Sequence, residues 1–240
     1  YLYADTLRSE LIGLGDSMWP DQQGEGWPSW TFSNHDAPRA VSRWAQGRDE
    51  KAFAEMALLL LVCLRGNVFV YQGEELGLPQ AEVPFERLVD PEAIANWPQT
   101  LGRDGARTPI PWTASAPNAG FSTVEPWLPV DPRHLKLAVD AQEADPTSTL
   151  HVARRLIALR KAHPALRLGG LELIEGPQDL LVFERFERGA DGERLLCVFN
   201  LSHETLDWAP PAGARRIEAV NWTEADGSRL KPLAGLLFAV

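Results

Sequence analysis

The longest apolar run in the chain, "MALLLLVCL" at Met56–Leu64, constrains the fold more than any other stretch. It is much shorter than the roughly 20 residues a helix needs to cross a bilayer. A helix this apolar on every side must instead be covered by protein. The pattern predicts a buried helix over residues 50–65, stopped by Gly66, inside a chain of 240 residues that is long enough for one large domain or two smaller ones.

The segments on either side of this helix have strand character. "SWTFS" at 29–33 is rich in strand-favouring residues and meets the turn residue Asn34, which predicts a strand whose C-terminal end reaches His35 and Asp36. Pro38 is placed where a first-turn proline is tolerated, so a helix is expected to start near residue 37. Beyond Gly66, "NVFVYQGEELG" reads as a strand broken at Gly73. Strand, helix, helix, strand is the rhythm of a parallel α/β array with helical crossovers.

The chain opens on helical spacing of Leu2, Leu7, Leu11, Ile12 and Leu14, followed by a Gly/Pro/Asp-rich loop to Pro28. From Leu78 to about Thr147 periodicity fades, and loops of that length in a compact protein usually bind or cover something. Leu150–Lys161 is an amphipathic helix that Pro164 should end. After Gly169 the texture becomes that of short strands, with a "GADGE" hairpin and further strands near 205–208, 215–222 and 236–240. The expected division is residues 1–168 as α/β and residues 169–240 as an antiparallel β-sandwich.

Composition excludes several classes of partner. A formal charge of −10 and the lack of a basic run disfavour a nucleic acid, whose binding draws on clustered Lys and Arg. No run is long enough for a membrane span. Cys63 and Cys197 lie in apolar stretches without metal-ligand spacing, which suits buried thiols in a reducing, cytoplasmic setting. The first residues have neither a basic leader nor an initiating Met, so the chain reads as part of a larger protein or a processed product.

Asp36 stands at the C-terminal end of its strand, where parallel α/β folds build active sites. The alternative is that it caps the next helix. His35 could bond a substrate hydroxyl or be an ordinary buried histidine. Glu74 and Glu75 follow the next strand and would reach the same rim, or else favour a helix N-terminus. Arg103, Asp104 and Arg107 lie in the long loop with Trp97, Trp112 and Phe121 nearby. A guanidinium holds a carboxylate in its charged form and can fork onto sugar hydroxyls, while aromatic faces can stack on sugar rings.

In order, "FSNHDAPRA", "VYQGEELGLP", "GRDGARTPIPW" and "PWLPVDP" together resemble glycoside hydrolase family 13, the α-amylase superfamily. Within it they look like the α-glucosidase and oligo-1,6-glucosidase branch. The resemblance implies that residues 1–168 are the C-terminal part of a (β/α)8 TIM barrel, with its seventh and eighth strands, followed by an antiparallel all-β domain. It implies that Asp36 is similar to the family's transition-state-stabilising carboxylate, that His35 bonds the same sugar ring, and that Arg103 contacts that subsite. Arg107 would serve the scaffold. The substrate implied is an α-glucoside or malto-oligosaccharide.

The resemblance is also incomplete. A retaining glycosidase needs a nucleophile and an acid/base about 5–5.5 Å apart, which the family draws from earlier barrel strands, and neither motif is found here. The chain is therefore expected to need the N-terminal remainder of the same barrel, which would carry an Asp nucleophile and a Glu acid/base; alone it would expose strand edges and be inactive. No cofactor is expected in this chain, and any structural divalent cation would bind upstream. One rival is a non-catalytic relative acting as an interaction subunit, which would tend to lose the polar cluster at the strand end. Another is a carbohydrate-binding role for residues 169–240, where Trp208 and Trp222 instead read as core.

Overall fold

A computed structural model describes residues 7, 9–19, 26–100, 102–176, 180–189 and 191–240. Leu2, residues 20–25 of the early loop and Ala190 of the expected hairpin lie outside the described residues. The opening helix is α1, Ser9–Ser17, followed by β1 (Ser29–Thr31), α2 (Ala40–Trp44), α3 (Glu50–Cys63) and β2 (Asn67–Phe69). The strand, helix, helix, strand order is as expected, and β1 and β2 pair in a two-stranded sheet. Both strands are shorter than their β-rich sequences suggest. β1 stops where the Thr31 hydroxyl donates to the Ser33 carbonyl at 2.6 Å, and β2 stops where a run of turns begins at Gln72.

Helix α2 begins at Ala40 and not near residue 37. Pro38 and Arg39 lie outside it, Arg39 with an extended ψ of 140°. Ser33 supplies the cap from seven residues upstream, its hydroxyl accepting the Ala40 N–H at 2.9 Å. A side-chain cap so far back in sequence satisfies an orphan donor as well as an adjacent one, and it leaves Asp36 outside the helix altogether.

All residues of Met56–Leu64 are buried, as their composition demands. The carbonyls at the end of α3 are orphaned by helix geometry, and arginines from distant segments take them. Arg160 donates to Leu64 at 3.0 Å and Gly66 at 2.6 Å, and also to Val62. Gly66 makes the exit possible. Its φ is +102°, and a Cβ there would stand 2.2 Å from the Pro28 carbonyl oxygen, which accepts the Asn67 N–H at 2.9 Å. Gly66→Ala is expected to cost at least about 2 kcal/mol, from the positive φ together with the clash; an unchanged urea midpoint for the full-length polypeptide would refute this.

The segment from Leu78 to Thr147 is not all loop. It contains α4 (Pro91–Asn96) and α5 (Val139–Glu143), with 3-10 turns at Phe85–Arg87, Asp104–Ala106, Pro117–Gly120 and Pro132–Leu137. The amphipathic helix runs slightly past its expected ends as α6, Thr149–Ala162. Pro164 then opens a further helix, α7 (Pro164–Leu168), at its first position, where a missing N–H costs nothing.

Sheet structure follows in β3 (Gly170–Ile174), β4 (Leu180–Phe186), β5 (Arg194–Asn200), β6 (Leu206–Asp207), β7 (Arg215–Val220), β8 (Arg229–Leu230) and β9 (Gly235–Ala239). Five of them form one antiparallel sheet in the order β3-β4-β5-β9-β7, and β6 pairs with β8. Leu180, Val182, Leu196, Val198, Leu236 and Phe238 share one face, against which Leu206, Trp208 and Trp222 pack, as the sequence suggested for both tryptophans. The alternate residues Leu181, Phe183, Leu195, Cys197, Phe199 and Leu237 are buried too. A sheet covered on both faces reads as continuous hydrophobic runs, which "RLLCVFN" is.

Texture changes at residue 169, but compactness divides the chain elsewhere. One unit contains the chain up to Trp30 with Glu55–Phe69 and Arg155–Val240; the other contains Thr31–Ala54 and Val70–Arg154. The first holds the antiparallel sheet. The second has small apolar clusters around Leu76, Leu78, Ile110 and Leu150 and around Val83, Leu88, Ala93 and Leu128, and it carries every residue singled out for chemistry.

Candidate active site

Residues 33–37 form a tight polar turn. The Asp36 N–H donates to the Asn34 side-chain oxygen at 2.8 Å, and Asn34 bridges Ala37. An Asx turn of this kind fixes the backbone locally and leaves the Asp36 side chain about one-third exposed. The turn, and not the strand end itself, presents this carboxylate. The capping alternative for Asp36 does not hold, because α2 starts four residues later and is capped by Ser33.

Three cationic or potentially cationic groups meet the Asp36 carboxylate. His35 Nε2 lies 3.2 Å from Oδ2. Arg107 Nη2 donates to Oδ1 at 2.8 Å, while its Nε donates to the His35 carbonyl at 2.7 Å. Arg103 Nη1 stands further off, 3.8 Å from the same Oδ1. Arg107, expected from sequence to serve the scaffold, is therefore the guanidinium in direct contact with Asp36. The imidazole is two-thirds exposed, not the buried histidine of the alternative reading.

Arg103 spends most of its bonding capacity on Asp90. Its Nε and Nη2 make a fork onto that carboxylate at 3.0 and 2.7 Å, and its own N–H adds a third bond at 2.8 Å. The Asp90 side chain is fully buried, and the Arg103 bonds hold its pKa well below the usual carboxylate range. Asp90 also caps α4 through the Glu92 N–H. Behind it, buried Asp104 accepts the N–H groups of Val89 and Asp90 at 2.8 and 2.9 Å. Two acids that the sequence did not single out as a unit thus fix where the Arg103 fork points.

Glu74 and Glu75 do not follow a long strand to a common rim. Glu75 accepts the Gly73 N–H at 2.7 Å. Glu74 accepts the Tyr71 N–H at 2.8 Å and a bond from the Ser33 hydroxyl, with Arg39 and Glu75 the nearby charges. No helix starts at either residue. Loss of solvent around the Glu74 carboxyl raises its pKa from 4.5 to about 7.

Between those two values the unfolded chain ionises while the folded one keeps its proton, so stability falls as pH rises through this window. The loss reaches roughly 3 kcal/mol above pH 7. Glu74→Gln, which keeps an acceptor for Tyr71, is expected to be more stable than the parent at pH 8 and equal to it at pH 4.5. Urea titrations at both values would test this, and an equal gain at both would contradict it.

The aromatic residues of the long loop are open to solvent: Trp97, Trp112 and Phe121 are each between 41% and 52% exposed. Trp97 packs against Phe85 with ring centroids 5.6 Å apart. Among the described residues no group of three or more His, Cys, Asp or Glu has a metal-binding arrangement, and no helix is long and apolar enough to cross a membrane. Chemically, the site can grip hydroxyls with an imidazole and two guanidiniums and place one negative charge beside a bound ring.

The family model for the α-amylase catalytic domain matches residues 12–169. A "Probable alpha-glucosidase" of Rhizobium meliloti is 50% identical over 181 residues, which cover 75% of this chain and 32% of that protein. An oligo-1,6-glucosidase of Parageobacillus thermoglucosidasius is 35% identical over 202 residues, 76% of this chain and 35% of its own length. Among solved structures, an α-glucosyl transfer enzyme resembles the chain with a TM-score of 0.87 at 40% identity, covering 99% of this chain and 45% of the other. The chain thus spans about a third of these curated relatives and under half of the solved one.

Proposed function

Because the chain belongs to the α-amylase family, glycoside hydrolase family 13, by a match across residues 12–169, we propose that it is the C-terminal portion of a retaining α-glucosidase. The observation that carries this reading is the convergence of His35, Arg107 and Arg103 on Asp36. In the whole enzyme an upstream Asp attacks the anomeric carbon and an upstream Glu protonates the leaving oxygen. Asp36 then faces the positive charge that develops on the ring, and its attraction grows toward the transition state. His35 and Arg103 hold ring hydroxyls; Arg107 orients the Asp36 carboxylate.

The glycosyl-enzyme is released by water, or by a sugar or phenol hydroxyl that takes the glucosyl group. The likeness to an α-glucosyl transfer enzyme supports keeping both acceptors. In this reading residues 1–168 complete a barrel begun upstream, and residues 169–240 form its C-terminal β domain. The assembled polar cluster favours an enzyme over a non-catalytic subunit, since an interaction surface needs no carboxylate held by two arginines.

The full-length polypeptide is expected to cleave maltose, isomaltose and aryl α-glucosides, to leave β-glucosides intact, and to release α-glucose first when followed by NMR. Release of β-glucose first would overturn the retaining mechanism. An absence of turnover on all three α-substrates would overturn the enzyme reading.

A further inference from the structure

Arg39 follows Asp36 by three residues, yet its side chain faces away from solvent and the residue is only 1% exposed. Burying a guanidinium is costly, and burial lowers its pKa. Its two terminal nitrogens go to backbone carbonyls of two separate segments. Nη1 donates to Gln72 at 2.8 Å and Nη2 to Ala106 at 3.2 Å. The guanidinium lies over the Tyr71 ring at 5.3 Å, and the Tyr71 hydroxyl donates to the same Ala106 carbonyl at 3.0 Å.

Ala106 is the residue before Arg107. A closed ring results: the chain from Asp36 to Arg39, a hydrogen bond to Ala106, one peptide bond to Arg107, and the ion pair from Arg107 back to Asp36. The Gln72 turn is shaped to admit the guanidinium. Gly73 has φ +93°, and a Cβ on it would stand 2.6 Å from Arg39 Nη1. Tyr71, Glu74 and Glu75 each favour the charged form of Arg39, and Glu74 ties the same turn to Ser33 at the exit of β1.

We propose that Arg39, assisted by Tyr71, is the positioning residue that holds Arg107 against Asp36 and thereby sets the rate of glucosyl transfer without touching the sugar. The inference rests on the proposed α-glucosidase reading. A misplacement of about 1 Å in a group beside the reacting ring can cost about 100-fold in rate, and a single buried arginine that fixes the Ala106 carbonyl is well placed to prevent one. Lysine at this position keeps the charge but not the planar fork.

Arg39→Lys and Tyr71→Phe are to be compared with the parent in the full-length polypeptide, with kcat and KM on an aryl α-glucoside expressed per folded molecule. Arg39→Lys is expected to lower kcat by about 10- to 100-fold with KM changed by no more than about threefold. Tyr71→Phe, which loses one hydrogen bond and should not threaten folding, is expected to lower kcat by about fivefold. A crystal structure of Arg39→Lys should show the Arg107–Asp36 bond lengthened or broken.

Parent-like kcat in both variants overturns the proposal, and so does a fall in melting temperature with full activity per folded molecule, which is what a purely structural arginine would give. If the parent itself turns over no α-glucoside, the functional reading fails and the crystal structure decides the positioning claim alone: an intact Arg107–Asp36 bond overturns it, and a broken one upholds it.

Discussion

Asp36→Asn in the full-length polypeptide should lower kcat on an aryl α-glucoside by about a thousandfold or more, with its melting temperature almost unchanged. The amide has nearly the shape of the carboxylate and can still accept the Arg107 bond, so local geometry survives. What disappears is the negative charge of Asp36 itself, leaving Arg107 Nη2, at 2.8 Å in the parent, without its carboxylate partner, while Arg103 keeps its fork on Asp90. The unbalanced Arg107 cation then opposes positive charge on the ring, which adds to the lost attraction.

Stability is affected far less than rate, because the Asp36 and Arg103 side chains are each at least one-third exposed and exposed ion pairs contribute about 0–1 kcal/mol. A variant with kcat within a few-fold of the parent would remove Asp36 from the chemistry. A variant that loses activity only by unfolding would do the same, and circular dichroism alongside the assay separates the two.

The parts of this protein that were legible in its sequence are those in which neighbours along the chain decide the outcome. The unbroken apolar run of α3, the amphipathic period of α6 and the β-rich runs from Gly170 onward are all signals that a short window reveals. Helices α4 and the turn at Pro132 carried a readable signal as well: Asp90-Pro91 and Asp131-Pro132 are each an N-cap followed by a first-turn proline. The fading periodicity around them hid it.

Within the candidate site, "NHD" pointed to Asp36 and His35, but spacing could not choose between Arg103 and Arg107. That choice is made by the 3-10 turn Asp104–Ala106 between them, whose path depends on Asp104 bonding Val89 and Asp90 some 15 residues upstream. Asp90 and Arg39 were unreadable for the same reason. Their partners are 13 and 67 residues away, and a buried acid or guanidinium looks in sequence like any exposed one.

Arg185 extends that lesson to stability and leads to the largest expected loss of fold. It sits in β4, is 0% exposed, and bonds no carboxylate among the described residues. It donates instead to the carbonyls of Gly170 at 2.9 Å, Ala165 at 2.8 Å, Gly169 at 3.0 Å and Cys63. One side chain thus satisfies orphaned carbonyls at the ends of both α3 and α7. Two effects compete when Met replaces it. Removing a buried charge recovers the desolvation penalty that has pulled its pKa down to about 10, about 3 kcal/mol.

Ala165 keeps the Gly169 N–H at 3.1 Å, but taking this donor from the Cys63, Gly169 and Gly170 carbonyls costs about 1–3 kcal/mol each, and at the middle of that range this side wins. Arg185→Met is therefore expected to destabilise the full-length polypeptide by about 3 kcal/mol, with Arg185→Lys in between because an ammonium can reach only some of the four oxygens. Urea denaturation followed by tryptophan fluorescence checks the order. A Met variant as stable as the parent would mean that the helix ends find other donors, and that the charge, not the hydrogen bonds, dominates the energetics of this position.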